Sequence, residues 1–351
     1  MDLLGNTLQE TVEAAKALGV SRHRAAAAYA DFFRTDRCTE PWVEDCMPPI
    51  RTTTIDEETV KFTLSLGDGL ETESVIIPMH RDGRVTRTLC VSSQIGCAMG
   101  CGFCETAQMG LLRSLTASEI VAQWHAARHR VDNPFDGGRG FPIKNIVFMG
   151  MGEPTDNLPA VLQSIRVLAD HHGPAVPASR ITVSTVGRTE GIRTLARFAT
   201  ARGFRKLNIA FSLNAPNDRI RGEIMPITRA EPIARILGAL RDWPIQRSAA
   251  FCMEYVLIPG VNDAPEHCDE TCALLKGILC SLNVIPYNPR RESPWRAPTE
   301  EEITAFVTRA IANGQFCKRR GTKGRNAMAA CGQLGNANIR RRTFVPVRIA
   351  G

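Results

Sequence analysis

From about residue 88 onward, short apolar runs alternate with longer stretches in which apolar residues recur every third or fourth position, a pattern that predicts strand then helix six times over. The strand candidates are LCVSSQ (89–94), NIVFMG (145–150), ITVSTV (181–186), LNIAFSL (207–213), FCMEYVLI (251–258) and LNVIPY (282–287). Helical stretches lie near 117–131, 157–170, 188–203, 230–242, 265–279 and 299–313. The first opens on a capping box, Thr116 with Glu119, ahead of the run IVAQW. Repeated βα units with apolar strands predict a parallel sheet covered by helices. Six units are too few for a closed eightfold barrel. The pattern therefore predicts an α/β fold, an open partial (β/α)6 barrel with its chemistry at the carboxyl ends of the strands. Periodicity alone leaves a doubly wound sheet open.

Ahead of this series the pattern changes. NTLQETVEAAKAL and SRHRAAAAYADFFR, separated by Gly19, predict two helices within residues 5–35, and Cys38 to Pro49, with three prolines, reads as irregular. TVKFTLSL and ESVIIPM, joined across Gly67-Asp68-Gly69, predict a β-hairpin. The division that follows is a small helical region over 1–48, a hairpin extension over 49–88, the barrel over 89–318, and a C-terminal segment over 319–351.

A chain of 351 residues suffices for one large core and a small appendage. The start, MDLLGNTLQETVEAA, has early acids and no apolar segment of a signal peptide. No window approaches the roughly 18 apolar residues of a membrane span. Twelve cysteines in such a chain read as thiols and metal ligands, not as a disulfide framework. These features predict a cytoplasmic protein with no membrane partner, expected as a monomer. The net charge of +7 is modest but uneven. Lys318, Arg319, Arg320, Lys323 and Arg325 crowd one segment and Arg340, Arg341 and Arg342 follow, which suits either a polyanion or a solvated face.

The densest chemistry follows the first barrel strand, where Cys97, Cys101 and Cys104 form a C-x3-C-x2-C triplet. Three thiolates can hold three irons of a [4Fe–4S] cluster and leave the fourth open, whereas structural zinc takes four protein ligands. Phe103 adds apolar cover. The spacing resembles that of the radical S-adenosylmethionine (SAM) superfamily, whose open iron chelates SAM. The second strand ends in Gly150-Met151-Gly152-Glu153-Pro154, where glycine lets a backbone approach a ligand and Glu153 can accept from an ammonium group; a tight turn is the commoner meaning. Ser184, Ser212 with Asn214, and Asn288 end the third, fourth and sixth strands. Each alone reads as a turn or cap; together they read as a cofactor rim. Cys90, seven residues before the triplet, and Cys331, in AACGQLGN, also stand out. An isolated cysteine is usually a small buried apolar residue, and Cys38, Cys46, Cys252, Cys268, Cys272, Cys280 and Cys317 are read so. Cys268 and Cys272 share one helix face but have no second pair to complete a metal site.

CVSSQIGCAMGCGFCETAQMG, FMGMGEP, ITVSTVG, FSLNAPND, EYVLIPGVND, NVIPYNP and AACGQL occur in this order within residues 73–335. Together they resemble the RlmN/Cfr family of radical SAM RNA (adenine) methyltransferases, over roughly three quarters of the chain. TAQMG and GMGEP are similar to the RlmN branch, which methylates adenine C2, more than to the Cfr branch, which methylates C8. The resemblance implies one [4Fe–4S] cluster on Cys97, Cys101 and Cys104. It implies two SAM molecules per turnover, contacted by Gly152, Glu153, Ser184, Ser212, Leu213, Asn214 and Asn288. The implied partners are ribosomal (23S) RNA, transfer RNA or both, and an electron donor such as flavodoxin or ferredoxin.

Adenine C2 is too electron-poor to displace a sulfonium methyl directly, and the family route avoids that step. The resemblance implies that Cys331 takes a methyl group from one SAM. A 5′-deoxyadenosyl radical from a second SAM then removes a hydrogen from that methyl, and the methylene radical adds to the adenine. Glu73 is the implied base for the ring proton, with Glu71 nearby, and Cys90 releases the product by forming a disulfide with Cys331. The target base leaves its stack or is already unstacked.

Three features differ from the family pattern. The region before Glu73 is shorter than the usual RNA-binding domain, Asn214 stands where His is common, and GRNAMAAC replaces an acidic stretch before the final motif. They keep adenine C8, or a non-ribosomal substrate, as the alternative. From another class comes a non-catalytic RNA-binding protein whose cysteine loop holds zinc. A methylthiotransferase would carry a further N-terminal cysteine triplet, which the chain lacks.

Overall fold

The computed structural model describes residues 1–244 and 250–339; Arg340, Arg341 and Arg342 of the basic tail lie outside them. The chain divides into two units, Met1–Ile95 with Arg113–Ile181 and Gly96–Leu112 with Thr182–Gly351.

In the first unit Thr7 and Glu10 form a capping box that opens α1 (Leu8–Ala17), and Ser21 caps α2 (Arg22–Thr35). The alanine-rich stripe is the buried face of α2, with Ala25, Ala28, Tyr29, Phe32 and Phe33. It packs on α3 (Ala117–His129), where Phe32 stacks on His125 with ring centroids 4.5 Å apart. Asp36 ends α2 in the left-handed conformation, lies 2.7 Å from His125 Nε2 and accepts from Arg130 Nε at 2.7 Å.

The expected hairpin is the centre of a four-stranded antiparallel meander, β1 (Ile50–Asp56), β2 (Thr59–Ser65), β3 (Glu71–Arg81) and β4 (Arg84–Cys90). The outer two strands were not legible as such. β1 is IRTTTID, an exposed edge strand with no apolar alternation to mark it. Asp82-Gly83, both at positive φ, makes the tight β3–β4 turn that carries β4 back. β4 therefore starts earlier than the LCVSSQ run and stops at Cys90, pairing in parallel with β5 (Ile143–Phe148). Beyond it the backbone bends, because Ser93 N–H and Gln94 N–H donate to the Met151 carbonyl at 2.9 and 3.2 Å. Gln123, buried on α3, holds this bend: it accepts from Ser92 N–H at 2.8 Å and donates to the Ser92 carbonyl at 2.9 Å. α4 (Leu158–Leu168) follows β5.

The second unit carries the parallel strands β6 (Ile181–Thr185), β7 (Asn208–Ser212), β8 (Phe251–Leu257), β9 (Cys280–Pro286) and β10 (Cys317–Arg319). Between them lie α5 (Thr189–Ala199), α6 (Asp218–Ile224), α7 (Ile233–Arg241), α8 (Pro265–Leu275) and α9 (Glu300–Ala312). These strands are not apolar on both faces, as a helix-covered parallel sheet would suggest. Register puts Ser184, Ala210, Cys252 and Ser281 in one row, and Ser212, Glu254, Asn283 and Lys318 in the next, on the same polar face. The opposite face is apolar and meets the helices, as where Tyr255 packs on Phe306 of α9 at 5.1 Å.

Among the described residues no helix is long and apolar enough to cross a membrane. Cys268 and Cys272 direct their sulfurs at the Phe306 and Ala310 carbonyls of α9, and burial pushes the Cys268 thiol up to about 12. Cys38 and Cys46 are exposed, contrary to the buried reading, because the irregular segment that carries them turns Val43 and Met47 into the core instead.

Burial works against the Asp36 carboxylate, but the His125 and Arg130 contacts outweigh it and hold its pKa well below the usual range. A folded value below the unfolded one, about 3.9, means this stability is present above that pH and lost as pH falls through the folded value. Asp36→Asn keeps a residue tolerant of the left-handed backbone. It is expected to lower stability at neutral pH by about 1 kcal/mol, discounted for partial exposure, and to flatten the loss of urea midpoint below about pH 4. An acid profile identical to the parent protein would contradict the assignment.

Candidate functional site

Cys97, Cys101 and Cys104 lie between a short strand, Gln94–Gly96, and a one-turn helix, Glu105–Gln108. Gly96 sits at φ +74°, and a Cβ there would come within 1.8 Å of the Gly110 carbonyl, so the entry to the loop requires glycine. Cys97 N–H donates to that same carbonyl at 3.0 Å. Cys97, Cys101 and Phe103 are buried in one apolar cluster with Met99, Ile224, Met225, Ile258, Tyr287 and Trp295, and Cys104 packs against it. The polar backbone of the loop is satisfied from outside: Gly102 N–H donates to Ile224 O at 2.9 Å, and Arg290 Nε donates to Gly102 O at 2.7 Å.

This donor set fits an iron–sulfur cluster. Burial pushes the Cys104 thiol up, so ionisation there calls for a metal's positive charge. Among the described residues no three His, Cys, Asp or Glu side chains converge as a single-ion site requires. Tetrahedral structural zinc takes four protein ligands, and this loop offers three cysteines. A cubane cluster makes a weaker demand, because each cysteine holds its own iron.

Around the polar face, Ser184 belongs to β6, Ser212 ends β7 with Leu213 and Asn214 just beyond, and Asn288 follows β9. Leu213 is fully buried and its N–H donates to the Glu254 carbonyl at 3.0 Å. Asn214 adopts φ +58°, a conformation Asn tolerates, and turns its amide into the fold. Its Oδ1 accepts from Val256 N–H at 2.9 Å and its Nδ2 donates to Met225 Sδ at 3.3 Å. Asn288 Oδ1 accepts from Arg325 Nε at 3.1 Å, so the basic substitution within GRNAMAAC has a partner at the rim.

Sequence reading missed Arg221. Fully buried on α6, it donates to the carbonyls of Leu213 (2.9 Å), Ser212 (3.0 Å) and Val186 (2.6 Å) and to Thr228 Oγ1 (3.0 Å). Desolvation lowers its pKa to about 10, still charged at neutral pH. Only its basic character on a short helix could have signalled it, and surface arginines share that signal.

The Cys331 loop meets the cysteine loop directly. Glu105 N–H donates to the Gly332 carbonyl at 2.7 Å, and Thr106 Oγ1 donates to the Leu334 carbonyl at 2.5 Å. Gly332, at φ +83°, would carry a Cβ 3.5 Å from the Phe103 carbonyl. Gln333 Nε2 donates to Pro289 O at 3.2 Å, tying the same loop to the segment after β9.

The first unit holds the other expected residues. Val75 lies opposite Lys61 on β2 and opposite Cys90 on β4, and Glu73 is two residues along β3, so all four share one sheet face. Glu73 is only 7% exposed and pairs with Lys61 Nζ at 3.1 Å. Glu71 lies in an ion pair with the exposed Arg51 at 2.8 Å, so the register, not the composition, separates the two acids. Gly152, at φ +99°, packs so closely that a Cβ would lie 2.5 Å from Gln94 Cβ. Glu153 N–H donates to Gln94 Oε1 at 2.9 Å, while Glu153 Oε1 accepts from Thr155 N–H at 3.0 Å and caps the following turn.

Residues 91–272 match the family model of the Radical SAM superfamily. The chain is 42% identical over 294 residues to the probable dual-specificity RNA methyltransferase RlmN 1 of Protochlamydia amoebophila, covering 84% of this chain and 78% of that protein. It is 40% identical over 276 residues to the dual-specificity RNA methyltransferase RlmN of Syntrophus aciditrophicus, covering 79% and 75%. A crystal structure of a radical SAM methyltransferase from Sphaerobacter thermophilus superposes with a TM-score of 0.86 at 36% identity, covering 95% of this chain and 98% of that one. That likeness shows the expected α/β fold class, the partial barrel of radical SAM enzymes.

Arg221→Met is expected to cost about 3 kcal/mol, since it strands several buried carbonyls while retaining bulk. Guanidinium denaturation of the two proteins measures it, and equal midpoints would show that Arg221 is dispensable to the strand ends.

Proposed function

Because the chain belongs to the RlmN/Cfr family of radical SAM enzymes, we propose that it methylates an adenine carbon, C2 in preference to C8, in ribosomal RNA, transfer RNA or both. The observation that carries the reading is the Cys331 loop held against the cysteine loop through the 2.7 Å Glu105–Gly332 hydrogen bond. A thiol built only for packing has no need of a backbone clamp beside the loop that carries Cys97, Cys101 and Cys104. The TAQMG and GMGEP segments support C2.

Cys97, Cys101 and Cys104 would hold the [4Fe–4S] cluster, and Gly152, Glu153, Ser184, Ser212, Leu213, Asn214 and Asn288 would contact SAM. Bound, the cluster and SAM supply one-electron chemistry that activates an otherwise inert methyl group. Cys331 carries the one-carbon unit as a thioether and delivers it to the adenine. Glu73 removes the ring proton, and Lys61 at 3.1 Å keeps its carboxylate oriented. Cys90 frees the product by bonding to Cys331 Sγ as the carbon–sulfur bond breaks; the released carbon takes a proton to become the methyl group, and the disulfide is reduced by an external reductant before the next turnover. A flavodoxin- or ferredoxin-type donor supplies electrons, and the enzyme acts as a cytoplasmic monomer.

Mass spectrometry of nucleosides from ribosomal and transfer RNA, with and without the gene, tests the reaction. The expected outcome is loss of 2-methyladenosine on deletion, restored by the parent gene and not by Cys331→Ala. Loss of 8-methyladenosine instead selects the C8 alternative, and unchanged RNA refutes both. Anaerobically reconstituted protein should be brown and lose that colour in Cys101→Ala; a colourless parent binding one zinc would favour the non-catalytic reading.

A further inference from the structure

Glu105 follows the last cysteine of the triplet directly and is 1% exposed. A carboxylate buried this deeply needs donors, and Arg291, in the segment after β9, supplies them. Arg291 N–H donates to Glu105 Oε2 at 3.1 Å, and Arg291 Nη1 donates to Glu105 Oε1 at 3.1 Å. The same Nη1 also donates to the Gly335 carbonyl at 3.2 Å. One guanidinium nitrogen thus bridges a side chain of the cysteine loop and the backbone of the Cys331 loop. Gly335 completes the contact, because a Cβ there would lie 3.2 Å from Glu105 Cγ and from Met109 Sδ.

We propose that Glu105 and Arg291 form a latch that holds the Cys331 loop docked on the cysteine loop, and that they are positioning residues for the carbon transfer. The proposal rests on the Cys331 reading above. Chemistry through a loop thiol requires one defined docked geometry, and transfer to a second partner requires that the loop also leave. A charged pair that reaches the loop through a backbone carbonyl suits both demands, since a hydrogen bond to the Gly335 carbonyl fixes register and can be exchanged for one to water. Nη1 carries two N–H groups, so one nitrogen serves the carboxylate and the carbonyl together. A lysine ammonium at this position keeps the charge and its donors, but on a flexible stem without the fixed direction of Nη1.

Hydrogen–deuterium exchange on the reconstituted holoenzyme, read together with steady-state kinetics, tests the latch. In Arg291→Ala the amides of Glu105 and residues 329–335 are expected to exchange about tenfold faster, with the strands β6–β9 unaffected. The kcat is expected to fall about tenfold while KM for SAM stays within about twofold, the split expected of a positioning role. Arg291→Lys should recover part of both, and Glu105→Gln, of the same shape, should move both in the same direction as Arg291→Ala. These two conservative variants carry the test if Arg291→Ala does not fold. Unchanged exchange in the variants, or faster exchange with unaltered kcat, overturns the latch. A Cys331→Ala enzyme that still methylates RNA would instead sink the underlying reading, while the exchange data would still judge the latch on their own.

Discussion

The loop that carries Cys97, Cys101 and Cys104 is neither strand nor helix, yet it is largely buried. Its backbone polar groups must then find partners elsewhere, because an unsatisfied buried group costs about as much as a lost hydrogen bond. Much of the second unit follows from that constraint. Ile224 accepts from Gly102, Arg290 donates to the Gly102 carbonyl, and Gly332 accepts from Glu105. The last of these places Cys331 beside the triplet as a consequence of satisfying the loop itself.

The parallel strands follow a related logic. A parallel sheet covered by helices on both faces is apolar on both; here Ser184, Ser212, Glu254 and Asn283 share a polar face. Glu254 is buried there and paired with Arg320 at 3.4 Å. Such a face is costly unless something polar occupies the space it bounds. Arg221 spans the ends of β6 and β7 with its donors and so fixes where that face stops.

The series of barrel strands and helices was legible because apolar period and strand length are local properties. The triplet was legible because its spacing is contiguous. What escaped was non-local or unmarked. β1 has no alternation, and the Asp82-Gly83 turn that defines β4 was overshadowed by the apolar run that follows it. Gln123 looks like an interruption of IVAQW, and only the fold shows it clamping Ser92. Glu105, Arg221 and Arg291 are ordinary charged residues in sequence; their meaning lies in partners many positions away. Glu73 and Glu71 could be separated only by register, since one faces Lys61 and the other Arg51. Asn214 is a further case: the sequence marks its place after β7, and only the fold shows its amide bonded to Val256 N–H and Met225 Sδ.

The account stands on Cys331 as the atom that carries carbon. Peptide mass analysis of the protein purified from cells that contain SAM reads this most directly. The account predicts a fraction of the chains bearing one additional methyl group, localised by fragmentation to Cys331. RNA methylated by a protein whose Cys331 is never alkylated would contradict it.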